Sequence, residues 1–436
     1  MNRPLSVRII GGGLAGCEAA WQLARRGMDV DLYEMKPGRY SPAHRSDHLA
    51  ELVCSNSLRS NSPDSAVGLL KEEMRRMTSL VMEAADATAV PAGRALAVDR
   101  MRFSCYIEDK LHTLPNLRIF RQEIIEIPQE YPVIIASGPL TSDTLAKSIA
   151  RMTGSGYLYF YDAISPIIEG DSINYNKLFQ ASRYEGSEGD YLNCPLDKEQ
   201  YERLWKAILE GKQVEPHAFE EMKYFEGCLP IEVIADRGIR TLAFGPMKPV
   251  GLTDPKTGKQ PYAVVQLRRE DVDCRYYNMV GFQTKLTWSD QRRIFRMIPG
   301  LEAAQFTRYG SIHRNTFIDA PALLQDTLQW KSNPRIFFAG QIAGVEGYVE
   351  SAAMGLMAGL NAFLRQTGRS LAPPPPTTAH GALLKAITKP AKTFQPMNVN
   401  FSLFPPLTER VRRSERGSHY ARRALADLEQ WLKGKQ

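Results

Sequence analysis

Gly11, Gly13 and Gly16 stand at the spacing G-x-G-x-x-G inside SVRIIGGGLAGCEAAWQLARRGMDVDLYEM. That spacing serves phosphate chemistry. Gly11 permits a tight turn, Gly13 lets a pyrophosphate approach the backbone, and Gly16 lets a helix pack closely on the preceding strand. Gly12, Leu14 and Ala15 complete the turn. The helix that follows would aim free N–H groups and a partial positive charge at the phosphates. Glu34 comes 18 residues after Gly16, at the end of the next apolar run, where a carboxylate accepts hydrogen bonds from a ribose.

A second glycine-rich element, FFAGQIAGVEGYVESAAMG, lies more than three hundred residues downstream. A purely NAD-dependent enzyme needs no such element. Gly340, Gln341 and Gly347 lead into a small-residue helix whose N-terminus favours negative charge on a reduced flavin, and Tyr348 is placed to stack on the ring. Together the two elements point to FAD. The plainer alternative for the second is close helix–sheet packing through small residues.

Two of the six cysteines stand in contexts that suit a nucleophile. Cys54 lies in the unpatterned stretch ELVCSNSLRS, near Arg59 and residues 44–48 in sequence, and Cys228 lies at a turn in FEGCLPIE. A reactive thiol needs cationic or helix N-terminal neighbours that lower its pKa. Cys17, Cys105, Cys194 and Cys274 read as structural. There is no C-x-x-C pair, and the seven histidines do not cluster at ligand spacing, so no metal is expected.

The elements that must carry these residues alternate strand and helix. Val7–Ile10 and Val30–Tyr33 read as parallel strands joined by a helix over 14–26 that Gly27 closes. Residues 36–65 show no periodicity, the mark of a functional loop or of disorder. Helices are predicted over 68–82 and 99–114, and strands over 117–127 and 132–137. The chain of 436 residues exceeds one compact core and divides into 1–140, 141–330 and 331–436. LAPPPPTT reads as a linker or a stiff surface crossing.

Hydrophobic residues make 43% of the chain and no apolar run reaches the roughly 18 residues of a membrane span. MNRPLSVRII runs straight into the glycine turn and reads as a first strand, not a signal peptide, so the cytoplasm is the expected compartment. The net charge of +7 suits a polyanionic partner. Residues 409–436 carry eight Lys or Arg against four acids, as a solvated helix or a phosphate-contacting patch. The loop around Lys248 and Lys256 reads as an RNA contact or a plain hairpin.

Beyond these local signals, GGGLAGCEAAWQLARRGMDVDLYEM, PAHRSDHLAELVCSNSLRS, FEGCLPIE, FGPMKPVGLTDPKTGKQPYAVVQLRRED, RYGSIHRNTFIDAP and AGQIAGVEGYVESAAMGL resemble one family. It is the folate- and FAD-dependent tRNA (uracil-54-C5)-methyltransferase family, and the resemblance spans nearly the whole chain. A more distant likeness is to the glucose-inhibited-division-A proteins, longer tRNA modifiers that act on the wobble uridine. The resemblance implies an α/β fold: a two-part FAD-binding Rossmann-like domain of the glutathione-reductase type, interrupted by a smaller α+β insertion domain. It implies transfer of a methylene from 5,10-methylenetetrahydrofolate to C5 of a T-loop uridine in tRNA, reduction by FADH2, and NAD(P)H to reload the flavin. Cys54 and Cys228 match its two functional cysteines, with Cys228 adding to uracil C6 and Cys54 working beside the flavin. His313 would face the pterin, with Arg314 or Asn315 on its polar edges. The competing readings are a wobble-uridine modifier, a flavin oxidoreductase acting on a small molecule, and a non-catalytic flavin-containing RNA-binding protein.

Overall fold

The computed structural model describes residues 6–154, 158–183, 189–214, 224, 229–391 and 394–434. Two six-stranded sheets organise them. The first runs in the order Gln329–Trp330, Asn333–Phe338, Val133–Ile135, Val7–Ile10, Val30–Tyr33, Leu117–Phe120. All but the edge strand Gln329–Trp330 are parallel, with Ile10 beside both Tyr33 and Ile135. Reading outward from the first strand, the sheet turns one way through Val30–Tyr33 and the other way through Val133–Ile135. This reversal opens a crevice at the carboxyl ends of the strands, where open α/β sheets bind ligands.

Helix Leu14–Ala24 and helix Tyr348–Gln366 pack directly against each other on one face of this sheet. Their small residues make that possible. A Cβ at Gly355 would lie 2.2 Å from the carbonyl oxygen of Ala15, so no larger residue fits at this crossing.

The second sheet is antiparallel, in the order Phe179–Gln180, Leu192–Leu196, Ala263–Arg269, Tyr276–Met279, Ile167–Glu169, Phe306–Arg308. Helices Lys198–Glu210, Ile231–Asp236 and Trp288–Phe295 share its own core around Tyr201, Phe282 and Phe295. Asp197 and Gln200 form a reciprocal capping box at the start of Lys198–Glu210. A two-stranded ribbon, Leu158–Ile164 with Ser311–Phe317, runs between the sheets in sequence and carries His313.

Several boundaries differ from the sequence reading. The helix expected over 68–82 is two helices, Ala66–Arg76 and Leu80–Ala87. Thr78 between them has φ 55°, and its carbonyl accepts from Trp21, Gln22 and Arg25 of the first helix. Three side-chain donors thus draw that carbonyl out of the helical path. The strand expected over 117–127 stops at Phe120, and residues 122–124 turn toward the cavity described below. Within 36–65 a short strand forms at Ser57–Ser60. The proline run leads into a firmly held helix, Ala379–Thr388, whose first N–H groups donate to the buried carboxylate of Glu73. Among the described residues no helix is long and apolar enough to cross a membrane.

Candidate functional site

A cavity open to solvent lies at the carboxyl ends of the parallel strands, lined among others by Gly11, Gly13, Glu34, Gly340, Gln341 and Tyr348. Both glycine-rich elements therefore meet at one site. Gly11 has φ 108°, open to glycine but strained for other residues, and a Cβ there would lie 2.5 Å from the Ala136 carbonyl oxygen. Gly16 is closed in on the other side, with the Gly11 carbonyl 1.8 Å from the place of its missing Cβ. Gly13 faces open space, with nothing within 4 Å of that place. A bulky anion can therefore approach the backbone at the start of helix Leu14–Ala24.

Glu34 is buried, and its two carboxylate oxygens accept the Gly12 N–H at 2.8 Å and the Lys36 N–H at 3.0 Å. This fixes the carboxylate beside the turn. Lys36 extends the network, donating to the His48 carbonyl at 2.6 Å and to Glu51 at 3.2 Å. The loop that looked patternless in sequence is thereby fastened over the glycine turn, and Ala50 donates its N–H to the Gly12 carbonyl at 2.8 Å. The open Gly13 and the pinned Glu34 both fit a dinucleotide.

Cys54 and Tyr348, 294 residues apart, come together here: the Cys54 N–H donates to the Tyr348 phenol oxygen at 2.7 Å. The Ser55 N–H donates to the same oxygen at 3.3 Å. Burial pushes the Cys54 thiol up to about 12, and Asp162 adds to that shift, while Arg100 and Arg308 oppose it. Burial likewise raises the Tyr348 phenol, and the Cys54 thiol adds to it. The sequence neighbours behave otherwise. Arg59 pairs with the buried carboxylate of Glu350, so the cations that act on the thiol are Arg100 and Arg308.

Glu346 is the acid that sequence reasoning passed over. It is buried, accepts from Gln341 Nε2 at 2.9 Å, and burial together with Asp162 holds its carboxyl well above the usual range. Its only sequence signal was its place in GVEGY. Arg100 and Arg308 carried no signal at all. Arg100 is held by a two-pronged ion pair to Glu270 at 2.9 and 2.7 Å.

This geometry can be set beside known proteins. Residues 6–370 match the family described as glucose inhibited division protein A. A methylenetetrahydrofolate–tRNA-(uracil-5-)-methyltransferase of Syntrophus aciditrophicus is 65% identical over 433 residues, covering 99% of this chain and 98% of the relative. The chain belongs to this family. A methyltransferase of the same description from Geobacter sulfurreducens is 59% identical over 429 residues, covering 98% of this chain and 99% of the relative. Aquifex aeolicus GidA, in its form I crystal, shares the fold, with TM-score 0.71, 19% identity, and coverage of 98% of this chain and 76% of that one.

The remaining residues expected from the sequence are placed unequally. Cys228 lies outside the described residues, which resume at the buried Leu229. His313, Arg314 and Asn315 lie on strand Ser311–Phe317, whose alternation sets His313 and Asn315 on one face and Arg314 on the other. His313 is hydrogen-bonded to Ser311 Oγ at 2.8 Å, and burial lowers its pKa to about 4, with Arg308 and Arg45 adding to the effect. It is a neutral ring, suited to stacking. Asn315 is buried, and the Arg314 guanidinium lies 4.3 Å from the Tyr159 ring centre. These three do not line the cavity with the glycines.

The basic stretches divide as well. Lys256 donates to the carbonyls of Asn176 and Leu178, so its ammonium is engaged by the segment around Tyr175–Lys177, and Lys248 is half-buried. Helix Arg416–Lys433 buries Ala421, Ala424 and Leu428 and keeps Arg416 and Arg422 exposed, while Arg423 donates to the carbonyls of Pro405 and Pro406. Cys17 and Cys194 are fully buried, Cys105 lies 3.7 Å from His48 Nε2, and Cys274 donates to the Val272 carbonyl at 3.8 Å. Among the described residues no group of three or more His, Cys, Asp or Glu is arranged to hold a metal.

Proposed function

We propose that this chain is a folate- and FAD-dependent tRNA (uracil-5-)-methyltransferase. It moves a one-carbon unit from 5,10-methylenetetrahydrofolate to C5 of the T-loop uridine at position 54. NAD(P)H reloads the flavin, and a tRNA substrate places the reaction in the cytoplasm. The observation that carries this reading is the 65% identity over 433 residues to the Syntrophus aciditrophicus methyltransferase.

Gly11, Gly12, Gly13, Leu14, Ala15, Gly16 and Glu34 would hold the adenosine and phosphate half of FAD. Gly340, Gln341, Gly347 and Tyr348 would hold the ring half. Bound and reduced, the flavin supplies the two electrons that turn the transferred carbon into a methyl group. The chain's own residues do the rest. Cys228 adds its sulfur to C6 of the uracil, and the displaced electron pair makes C5 nucleophilic. C5 bonds to the carried methylene, and a base takes the C5 proton as the bond between that carbon and its carrier nitrogen breaks. Hydride reduction of the resulting exocyclic methylene re-forms the C5–C6 double bond and expels the Cys228 thiolate.

The Cys54 thiol stays protonated at neutral pH because burial and Asp162 oppose its ionisation. A protonated thiol suits handling a proton or shielding the one-carbon carrier. That supports giving C6 attack to Cys228. A T-loop uridine is paired and stacked, so it must be swung out, at a cost of about a few kcal/mol. Phosphate contacts from the cationic surface offset that cost.

The test uses tRNA lacking the T-loop methyl. Label from methylenetetrahydrofolate should reach uridine C5, and label from S-adenosylmethionine should not. Cys228→Ala should abolish transfer while FAD stays bound. If Cys228→Ala left flavin turnover intact on a small molecule and the wild type labelled no tRNA, the oxidoreductase reading would replace this one.

A further inference from the structure

Trp288 is 62% exposed, an unusual state for the largest aromatic side chain. It is not a loose side chain. Its ring stacks on Tyr309 with centres 5.6 Å apart and planes 16° from parallel. Tyr309 stacks in turn on Phe306 at 5.3 Å and 22°, and Phe306 leans on Phe295 at 6.4 Å. Phe295 is fully buried in the core of the second sheet. Three rings thus form a column rooted in the core, ending in an indole whose outer side meets solvent.

The strand end beneath the column is braced. Gly310 donates its N–H to Gln291 Oε1 at 2.7 Å, and Gln291 Nε2 donates back to the Gly310 carbonyl at 2.9 Å. Arg292 Nε donates to the Tyr309 hydroxyl at 2.9 Å. The same strand reaches the candidate site. Arg308 donates to the Ala43 carbonyl at 3.0 Å, next to His44, which lines the cavity, and its charge acts on Cys54.

The surroundings are cationic. From Lys285 to Tyr309 there are five Lys or Arg against two acids. Both acids are already engaged: Asp290 pairs with Arg293 at 2.6 Å and Glu302 with Lys177 at 2.6 Å. A second copy of the chain is a poor occupant, because a two-fold contact sets this patch against itself and cation faces cation. Nucleic acid fits both features, since every base offers a flat π-face and every linkage a negative charge.

We propose that the outer face of Trp288 is a stacking platform for a base of the RNA substrate near the reacting nucleotide, with Arg292 contacting the adjoining phosphate. The proposal rests on the tRNA reading above and names the surface that receives the RNA. Arg292 contributes through counterion release, Trp288 through contact with a base.

The test uses the full-length FAD-loaded protein and a T-arm stem-loop RNA, with binding read by fluorescence anisotropy and transfer by the labelled-methylene assay. Trp288→Ala should weaken binding by about fivefold to a hundredfold, the range of one lost base stack, without changing the salt slope. Trp288→Phe should bind within a few-fold of wild type. Arg292→Gln should make the salt slope shallower by about one phosphate contact. Unchanged flavin absorbance and melting temperature in each variant show that the fold is intact. If the wild type methylates tRNA and Trp288→Ala binds the stem-loop as tightly, the proposal is overturned. It is also overturned if Trp288→Ala changes the oligomeric state and leaves RNA affinity alone. A wild type that transfers no methyl to tRNA would instead remove the functional reading on which the proposal stands.

Discussion

The phenol oxygen of Tyr348 lies 2.7 Å from the backbone nitrogen of Cys54 and accepts its N–H. This bond joins the second glycine-rich element to the thiol loop across 294 residues of chain. It makes the position of the thiol depend on a residue that also lines the cavity of the two glycine-rich elements.

Tyr348→Phe keeps the ring and removes that acceptor. The Cys54 and Ser55 N–H groups lose their partner, at a cost of about 1–3 kcal/mol for each that stays buried. We expect FAD to remain bound, methyl transfer to fall by about tenfold or more, and Cys54 to react faster with maleimide. An unaltered Cys54 labelling rate would mean that the phenol does not hold the loop.

The raised Cys54 thiol predicts a pH profile for its alkylation. With a pKa of about 12 the thiolate fraction should grow nearly tenfold per pH unit from pH 7 to 9, without a plateau. Iodoacetamide labelling of Cys54, followed by mass spectrometry at a series of pH values, reads this directly. A plateau below pH 9 would show that Arg100 and Arg308 outweigh burial.

Glu346 predicts the pH dependence of stability. Folding raises its pKa, so its contribution is fully present below the ordinary carboxylate range and is lost as pH rises through the raised value. Glu346→Gln keeps the shape and cannot ionise. Wild type and variant should melt together near pH 5. The variant should melt higher at pH 9, by about 3 °C or more. Parallel melting curves at all pH values would place the ionised carboxylate in a site that tolerates it.

Gly13 and Gly16 should fail in different ways. Gly13 has φ −77° and an open Cβ direction into the cavity, so Gly13→Ala should fold normally and bind FAD about tenfold or more weakly. Gly16→Ala would drive a methyl into the Gly11 carbonyl, so it should lower the melting temperature of the FAD-free protein as well. Melting curves and flavin titrations on both variants separate the two. Equal effects on FAD and stability from both substitutions would deny the cavity its place at Gly13.

Much of the candidate site was legible from residue order. The turn at Gly11, the helix after Gly13 and the acid at Glu34 follow within one strand–turn–helix–strand unit, so spacing alone relates them. The thiol's surroundings were not legible in this way. Arg59 is five residues from Cys54 and turns to Glu350, while Arg100 and Arg308, far along the chain, act on the thiol. The split of the helix at Thr78 was equally hidden, because its cause is three donors from the first helix.

By itself the sequence determined what local geometry can encode: the glycine turn, the parallel strands around it and the second glycine element. Those depend on neighbours within a few residues and on the fixed periods of helix and strand. Only the tertiary structure decided which charges act on Cys54, that Tyr348 anchors its loop, and that Glu346 is pressed toward its neutral form. Coulombic and desolvation effects depend on separation and burial in space, and distance along the chain does not reveal either.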